Sequence, residues 1–462
     1  MKANWLSTGF ILAYLLPMVL AQNVKHSELA FTPPMGWNSW DSYALTVREP
    51  EIRSNAEWMA ANLRSFGWQY IVVDEGWYLQ NPEQAGKVPP EFTLDANGRY
   101  GPAPNRFPSA QGNSGFKPLA DYVHSLGLKF GIHIIRGIPR EAVSKNLLIA
   151  GSEFHARDAV NQNDLCYWQD KNVGDKPGQK IYWNSDNYGV QGNEAGQAYY
   201  NSALKLYAYW GVDFIKVDCI SNPYQAREIK MIRRAIENSG RPIVLSLSPG
   251  PTPLDEADDV RKYAQMWRIS NDVTDYWNGR GITPGIKDLF PVAAAWARYA
   301  EAGGWPDADM LPIGFLGPRN DQPRETRLTH DEVKTLLSLW SMLRSPLMIG
   351  GDLPSMDPWT TALLTNRDVL AVDQRSTAGH EVISTGDTVV WTARGQKKDE
   401  SYVAIFNIGD RKQTLTLTWR DIQLPDRRYE VTDLWNHTRY REGNSLNVTL
   451  DPHASVIYRV RK

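Results

Sequence analysis

In this 462-residue chain one short apolar run after another ends in ionisable or hydroxyl side chains. The run ends supply Asp41, Asp74 and Glu75, His133 and Arg136, Lys216 and Asp218, Ser246 and Ser248, Arg268 and Asp272, Asp307 and Asp309, and Asp352. Carboxylates brought together raise one another's pKa and destabilise a fold unless cations or ligand hydroxyls compensate, so a hydroxyl-rich ligand suits such a cluster. A carboxylate pair is also what cleavage of a glycosidic bond requires. One group protonates the leaving oxygen, and the other attacks the anomeric carbon or activates water. In Lys216-Val217-Asp218 the strand period of two places ammonium and carboxylate on one face, where the cation favours the ionised acid. Arg268 and Asp272 lie four apart at the end of another run. A single strand-end Asp is ordinarily a helix N-cap or a loop salt bridge; repetition over successive runs is what that explanation does not cover.

The elements that must hold these residues follow one grammar between about residue 30 and residue 375. A stretch of helical period stops at a glycine, and a short apolar run follows, which is βα alternation. Gly67, Gly127, Gly211, Gly240 and Gly303 are the stops, each suited to the left-handed position after a helix. Eight strands are predicted, around Met35 to Trp40, Tyr70 to Trp77, Lys129 to Ile135, Phe214 to Ile220, Pro242 to Pro249, Met266 to Val273, Gly304 to Leu311 and Ser345 to Leu353. Eight βα units fit an α/β fold of the (β/α)8 TIM barrel type, whose reactive groups sit at the C-terminal strand ends. An open doubly wound sheet would need a glycine-rich phosphate turn after the first strand, and Trp37-Asn38-Ser39-Trp40-Asp41 stands there instead.

From about Gly379 the pattern changes to short alternating strands such as Tyr402 to Phe406 and Thr414 to Thr418, an antiparallel β-sandwich of about 80 residues. The expected organisation is a signal peptide over 1–21, a catalytic barrel over 28–376 and a C-terminal β-sandwich over 379–462. Lys2, the apolar run from Phe10 to Leu20 and the small residue Ala21 carry the signal-peptide plan, so the mature protein is expected to be secreted or periplasmic. Pro17 breaks the run, no later segment offers about 20 consecutive apolar residues, and no membrane anchor is expected. The 50 basic and 52 acidic residues alternate without a basic block, which excludes nucleic acid as a partner class. The 18 Trp and 21 Tyr suit surfaces that stack on sugar faces, and equally a large aromatic core. Cys166 and Cys219 are too few for a disulfide framework; a bridge between them suits an oxidising compartment, but their spacing does not require it. Asn436-His437-Thr438 and Asn447-Val448-Thr449 are glycosylation sequons, meaningful only in a host that glycosylates.

The chain resembles the retaining α-galactosidases and α-N-acetylgalactosaminidases of glycoside hydrolase family 27. The resemblance runs through Pro34 to Trp40, Asp74-Glu75-Gly76-Trp77, Lys216-Val217-Asp218, Trp267-Arg268 through Asp272, Gly303 through Leu311, and Ser345-Pro346-Leu347 through Asp352-Leu353. It implies Asp218 as nucleophile and Asp272 as acid and then base, with Arg268 contacting the sugar and orienting Asp272. It implies that Trp40, Asp74, Glu75, Lys216 and Asp309 hold the ring and its hydroxyls, and that His133 falls where the family often has a pocket-lining Tyr. Ser248 and Trp305 are further candidate substrate contacts. A retaining pair places its carboxyls about 5 Å apart, an inverting pair about 9 Å.

The departures bear on the sugar. Family members that bind galactose usually carry two consecutive Asp at the second strand, and Glu75 replaces the second. Its extra methylene pushes a carboxylate towards the C4 and C6 positions. L-Arabinopyranose, a galactose ring without the C6 group, suits that space, and the family includes β-L-arabinopyranosidases. A terminal galactose-like glycoside is the expected substrate, with α-N-acetylgalactosaminide and β-L-arabinopyranoside as alternatives. The loop Leu245-Ser246-Leu247-Ser248-Pro249-Gly250 has small side chains that would admit an N-acetyl group. The cysteine-bearing loop usual after the third strand is replaced by Ile134 to Arg140. No cofactor is implied. No zinc spacing, serine elbow or Walker-type loop is present, and Asp307-x-Asp309 alone lacks the oxygens a calcium site needs. A non-catalytic sugar-binding protein on a former enzyme barrel would have lost one of the two carboxylates, and both are present.

Overall fold

A computed structural model describes residues 29–169, 180–319 and 322–462. The proposed signal peptide lies outside the described residues. Eight parallel strands form one sheet: β1 (Met35–Asn38), β2 (Tyr70–Val73), β3 (Lys129–Ile135), β4 (Phe214–Asp218), β5 (Val244–Leu247), β6 (Met266–Arg268), β7 (Trp305–Asp307) and β8 (Leu347–Ile349). They neighbour one another in chain order, β8 pairs β1, and a parallel bridge from Leu311 to Ile349 closes the ring. A helix follows each strand: α1 (Glu49–Asn62), α2 (Lys117–Ser125), α3 (Glu194–Trp210), α4 (Ala226–Ser239), α5 (Ala257–Tyr263), α6 (Leu289–Trp296), α7 (His330–Leu343) and α8 (Arg367–Arg375). This is the expected (β/α)8 barrel.

Period two sorts each strand. Ile71 and Val73, Ile215 and Val217, and Leu245 and Leu247 face outward into the core shared with the helices. Tyr70, Val72, Phe214, Val244, Met266, Trp305 and Met348 form a separate cluster inside the ring. One or two steps further along the same inward rows come Asp74, Lys216 and Asp218, Ser246 and Ser248, Arg268 and Asp307. The inward apolar layer thus plugs one end of the barrel while polar groups fill the other. Gly36 has its place in that packing: a Cβ there would meet the Tyr70 carbonyl oxygen at 2.5 Å. The helices stop as expected, with Gly211 after α3 at φ +88° and Gly240 after α4 at φ +73°. Thr329 and Glu332 open α7 with reciprocal hydrogen bonds between side chains and backbone.

Between β3 and α3 lies structure the sequence reading did not resolve. Ile138–Pro139, Val160–Leu165 and Asn187–Val190 form a small antiparallel sheet beside the barrel mouth. Arg136 fastens it: its guanidinium pairs with Asp164 at 2.6 Å and with Glu228 of α4 at 2.7 Å, and its Nε donates to the Cys219 carbonyl. Cys166 and Cys219 are disulfide-bonded. The bridge that cysteine spacing left open therefore joins this insertion to the residue after Asp218.

The chain then forms an antiparallel sandwich. Strands β9 (Thr377–Thr385), β10 (Thr388–Arg394), β11 (Glu400–Asn407), β13 (Tyr429–Asp433), β14 (Arg439–Glu442) and β16 (Ser455–Arg461) make a sheet in the order β9-β10-β11-β16-β13-β14. Strands β12 (Gln413–Thr418) and β15 (Ser445–Leu450) pair separately. Alternation again decides the faces. Val390, Val403 and Ile405 pack inside the sandwich with Leu417 and Trp419, whereas Trp391, Ala404 and Phe406 join the barrel core. Among the described residues no helix is long and apolar enough to cross a membrane.

Candidate active site

A cavity of about 540 Å³ opens at the polar end of the barrel. Trp40, Asp74, Glu75, Lys216, Asp218, Ser248, Arg268, Asp272 and Asp309 all line it. Residues far apart in sequence meet there because each sits at a C-terminal strand end or in the loop that follows.

Asp218 ends β4 with both oxygens held. Its Oδ1 accepts the Cys219 amide at 2.8 Å, and its Oδ2 lies 3.0 Å from His133 Nε2. Burial alone would raise the Asp218 pKa. The His133 hydrogen bond and charge, Lys216 and the Cys219 amide outweigh burial and hold it below the ordinary carboxylate value. His133 is fully buried behind the nucleophile candidate and does not line the cavity, which corrects its expected place against the sugar. Burial works against its protonation, but Asp74 and the hydrogen bond and charge of Asp218 raise its pKa. Lys216 favours the ionised Asp218 as expected, through its charge, without a direct ion pair. Its Nζ pairs with Asp74 Oδ2 at 2.9 Å rather than with Asp218. Asn38 donates to the same oxygen at 2.7 Å, and burial, although opposed to ionisation, is overcome so that Asp74 stays ionised.

Arg268 organises the opposite wall. One Nη2 lies 2.7 Å from Asp309 Oδ2 and 3.0 Å from Asp272 Oδ1. The Asp272 side chain is 75% exposed at the mouth, whereas Arg268 and Asp309 are buried. Desolvation pushes Asp309 up to about 8, against the pull of Arg268. Its backbone is in the left-handed region at φ +93°, a conformation costing a non-glycine residue about 1–3 kcal/mol and concentrated at functional sites. The Val273 amide donates to Asp309 Oδ2, so this strained residue also fixes the loop next to Asp272. Glu75 is raised by burial to about 7, and its Oε1 accepts Asn184 Nδ2 of the insertion at 2.9 Å.

Trp305 is not at the site. It is fully buried in the inward apolar layer, and its Nε1 donates to the Ala30 carbonyl at 2.7 Å, so its expected contact with substrate is replaced by a packing role. Asp352 is likewise structural, accepting from Tyr43 and Asn55. Asp41 does line the cavity, and burial raises it to about 7. Sequence reasoning counted it among the strand-end carboxylates without selecting it. It missed Trp183, Asn271, Thr274, Ile282 and Thr283, which also line the cavity from loops without periodicity. Among the described residues no three His, Cys, Asp or Glu side chains converge on a metal position.

Carboxylates in two contrasting settings in a cavity at a barrel mouth are the arrangement that glycoside hydrolysis uses. The family described as alpha galactosidase A matches residues 32–140 and 169–375, and its C-terminal beta sandwich domain matches 385–460. The chain belongs to this family, glycoside hydrolase family 27. An alpha-galactosidase of Coffea arabica is 31% identical over 93% of this chain and 94% of its own length. One of Cyamopsis tetragonoloba is 30% identical over 94% of this chain and 87% of its own. A crystal structure of a β-L-arabinopyranosidase from Geobacillus stearothermophilus is 43% identical, covers 95% of this chain and 98% of that one, and superposes with a TM-score of 0.87.

Proposed function

We propose that this chain is a retaining exo-glycosidase that releases terminal galactose-configured residues, hydrolysing α-galactosyl bonds by double displacement. The observation that carries the reading is the contrast between the two carboxyls. Asp218 is hydrogen-bonded by His133 and kept anionic at the inner wall, and Asp272 projects into the open mouth beside Arg268. A nucleophile must be ionised, and an acid/base must reach the leaving oxygen and then water. Asp218 attacks the anomeric carbon as the bond to the leaving oxygen breaks, and Asp272 gives that oxygen its proton. Water then loses a proton to Asp272 while its oxygen displaces Asp218, and the sugar leaves with its configuration retained. Asp74 and Lys216, Glu75, Asp309 and Trp40 hold the ring from the cavity walls.

Glu75 favours a second reading, in which β-L-arabinopyranoside is the better substrate. Its carboxyl accepts a hydrogen bond from Asn184, and its methylene beyond that of an Asp would crowd the C6 hydroxymethyl of a hexose. The likeness to an arabinopyranosidase supports that choice, and the likeness to plant alpha-galactosidases supports the hexose. Ser248 at the β5 end leaves an N-acetylgalactosaminide as the third candidate. Nitrophenyl α-galactoside, α-N-acetylgalactosaminide and β-L-arabinopyranoside, compared by kcat/KM, decide among them. The anomer first released, followed by NMR, tests retention. Asp218→Ala is expected to abolish turnover with folding intact; a variant that still turns over removes the nucleophile assignment. Export is part of the proposal: the Cys166–Cys219 bridge suits an oxidising compartment, and N-terminal sequencing of the mature protein tests cleavage near Ala21.

A further inference from the structure

A second cavity, of about 440 Å³, lies outside the barrel where the sandwich meets its helices, and it shares no lining residue with the catalytic cavity. Small-molecule sites commonly have that size. Its walls come from both units of the fold. Lys334 of α7, Trp359 of the short helix Pro358–Leu364 and Arg367 at the start of α8 line it together with Trp435 and His437 from the turn between β13 and β14. The seam is held by directed contacts. Asn366 donates its Nδ2 to the Leu434 carbonyl at 2.8 Å, while its Oδ1 accepts the Asp368 and Val369 amides. Asp368 is taken by Arg459 at 2.8 Å and lies 3.3 Å from His437 Nδ1. Trp435 donates its Nε1 to Ser338 Oγ at 3.1 Å. The plane of Trp359 is set by a stack on His330, with centroids 3.7 Å apart and planes inclined by 18°. His437 has a left-handed backbone at φ +55°, a conformation that non-glycine residues adopt mostly where the surrounding structure imposes it.

Two of the lining groups take no part in that framework. Among the described residues Lys334 and Arg367 meet no carboxylate, although the Phe66 ring, 4.3 Å from the guanidinium carbon, keeps Arg367 in place. The one carboxylate of the cavity, Asp368, is already occupied. Positive charge therefore stands uncompensated beside two indoles. An indole offers a flat apolar surface to the C–H face of a pyranose, and a guanidinium grips a carboxylate through two parallel hydrogen bonds. Thr365, also on the wall, donates its hydroxyl to the Thr361 carbonyl at 2.8 Å and can still accept from a sugar hydroxyl. A neutral sugar would leave the cations unused, and a small inorganic anion would leave the indoles unused. A hydroxylated ring that carries a carboxylate engages both.

We infer that this cleft binds a hexuronate, a pyranose bearing a carboxylate, as a unit of an acidic glycan, at a site separate from the catalytic cavity. No residue of the glycosidase reading takes part, so the two stand or fall separately. Titration calorimetry on the full chain compares three probes: a trisaccharide of glucuronate with the cellotriose linkage, cellotriose itself, and inorganic phosphate, an anion without a ring. The glucuronate trisaccharide is expected to bind about three- to tenfold more tightly than cellotriose, the scale of two exposed ion pairs, and added salt should shrink the margin. Lys334→Gln combined with Arg367→Gln should reduce its affinity to that of cellotriose. Trp359→Ala should weaken both sugars about two- to tenfold, the scale of one lost stacking contact. Thermal melting checks that each variant is folded, and the charge variant carries the test alone if Trp359→Ala melts early. Hydrolysis of the nitrophenyl glycoside that the wild type cleaves best should be unchanged in every variant. No binding, or cellotriose bound as tightly as the glucuronate trisaccharide, would overturn the hexuronate. Phosphate bound as tightly as the trisaccharide, and in competition with it, would overturn the ring. Inhibition of hydrolysis by the trisaccharide, undiminished in the charge variant, would place its binding in the catalytic cavity and overturn the separate site.

Discussion

His133 decides what kind of aspartate Asp218 is. A buried carboxyl left to desolvation is raised and neutral, which is useless in a nucleophile; an imidazole 3.0 Å from Oδ2 reverses the direction. The groups that face His133 include Asp74, Glu75, Asp218 and Lys216, and Asp74 and Asp218 raise its pKa against burial and the ammonium. Replacing His133 by Phe keeps a ring in the cavity wall and removes the donor and its charge. The Asp218 pKa is then expected to rise, so the acidic limb of the kcat/KM profile moves to higher pH while the plateau above it is less affected. A pH series on the wild type and His133→Phe checks this, and an unmoved limb would assign the limb to another group. At this scale the sequence was partly legible. Period two identified Lys216 and Asp218 as neighbours on one face. It carries no information on which strand lies beside β4, and it is the register of β3, with His133 opposite Lys216, that gives Asp218 its partner and leaves Lys216 to Asp74. Trp305 was misjudged for a related reason: its place in a motif says that it is inside the ring, but only the layer it belongs to says which end.

Elements were legible where their pattern is periodic and bounded. All eight barrel strands lie within the predicted runs, and Gly67, Gly127, Gly211 and Gly240 fall at helix ends whereas Gly303 lies in a turn closed by Glu301 and Gly304, because alternation and chain reversal are local properties. The insertion between β3 and α3 lacks both signals: its strands are short, and its order comes from contacts across long separations, through Arg136 and the disulfide. That bridge closes a loop of 53 residues, for which chain-entropy arguments give a stabilisation of about 4 kcal/mol. Cys166→Ser is therefore expected to lower the free energy of unfolding towards that amount, read from the urea midpoint at constant slope. Reduction of the wild type with dithiothreitol should reproduce the shift. Because the bridge abuts Asp218 and the insertion holds Glu75 through Asn184, the variant should also lose kcat/KM at temperatures well below its melting point. Full activity there, with stability alone reduced, would show that Arg136 suffices to seat the insertion.

On the scale of the whole molecule the change from helical to alternating patterning marked two units, and the structure adds how the second touches the chemistry of the first. The sandwich covers α7 with one face of its larger sheet, and the turn before β16 reaches the active-site side. His453 in that turn sits between Glu332 Oε1, 2.7 Å from Nδ1, and Asp410 Oδ1, 3.0 Å from Nε2. Its ring stacks on Trp277 with centroids 4.2 Å apart and planes inclined by 15°. Trp277 belongs to the loop that begins with Asp272, and its carbonyl accepts the Lys287 amide that closes the loop. The sandwich thus braces the segment carrying the acid/base candidate, which no alternation pattern could announce because the contact joins residues 176 positions apart. His453→Ala removes the stack, worth about 0.5–1.5 kcal/mol, and both carboxylate contacts. Amide exchange over residues 271–288 should quicken while the sandwich core around Val403 and Trp419 keeps its protection. The kinetic loss should fall on kcat more than on KM, because the loop carries the proposed proton donor, whereas the proposed ring-binding groups lie on the floor of the cavity. His453→Phe, which keeps the stack without the carboxylate contacts, separates the two contributions. Unchanged exchange in the loop of His453→Ala would mean that Asp275, paired with Arg324 and Arg327, holds it without help from the sandwich.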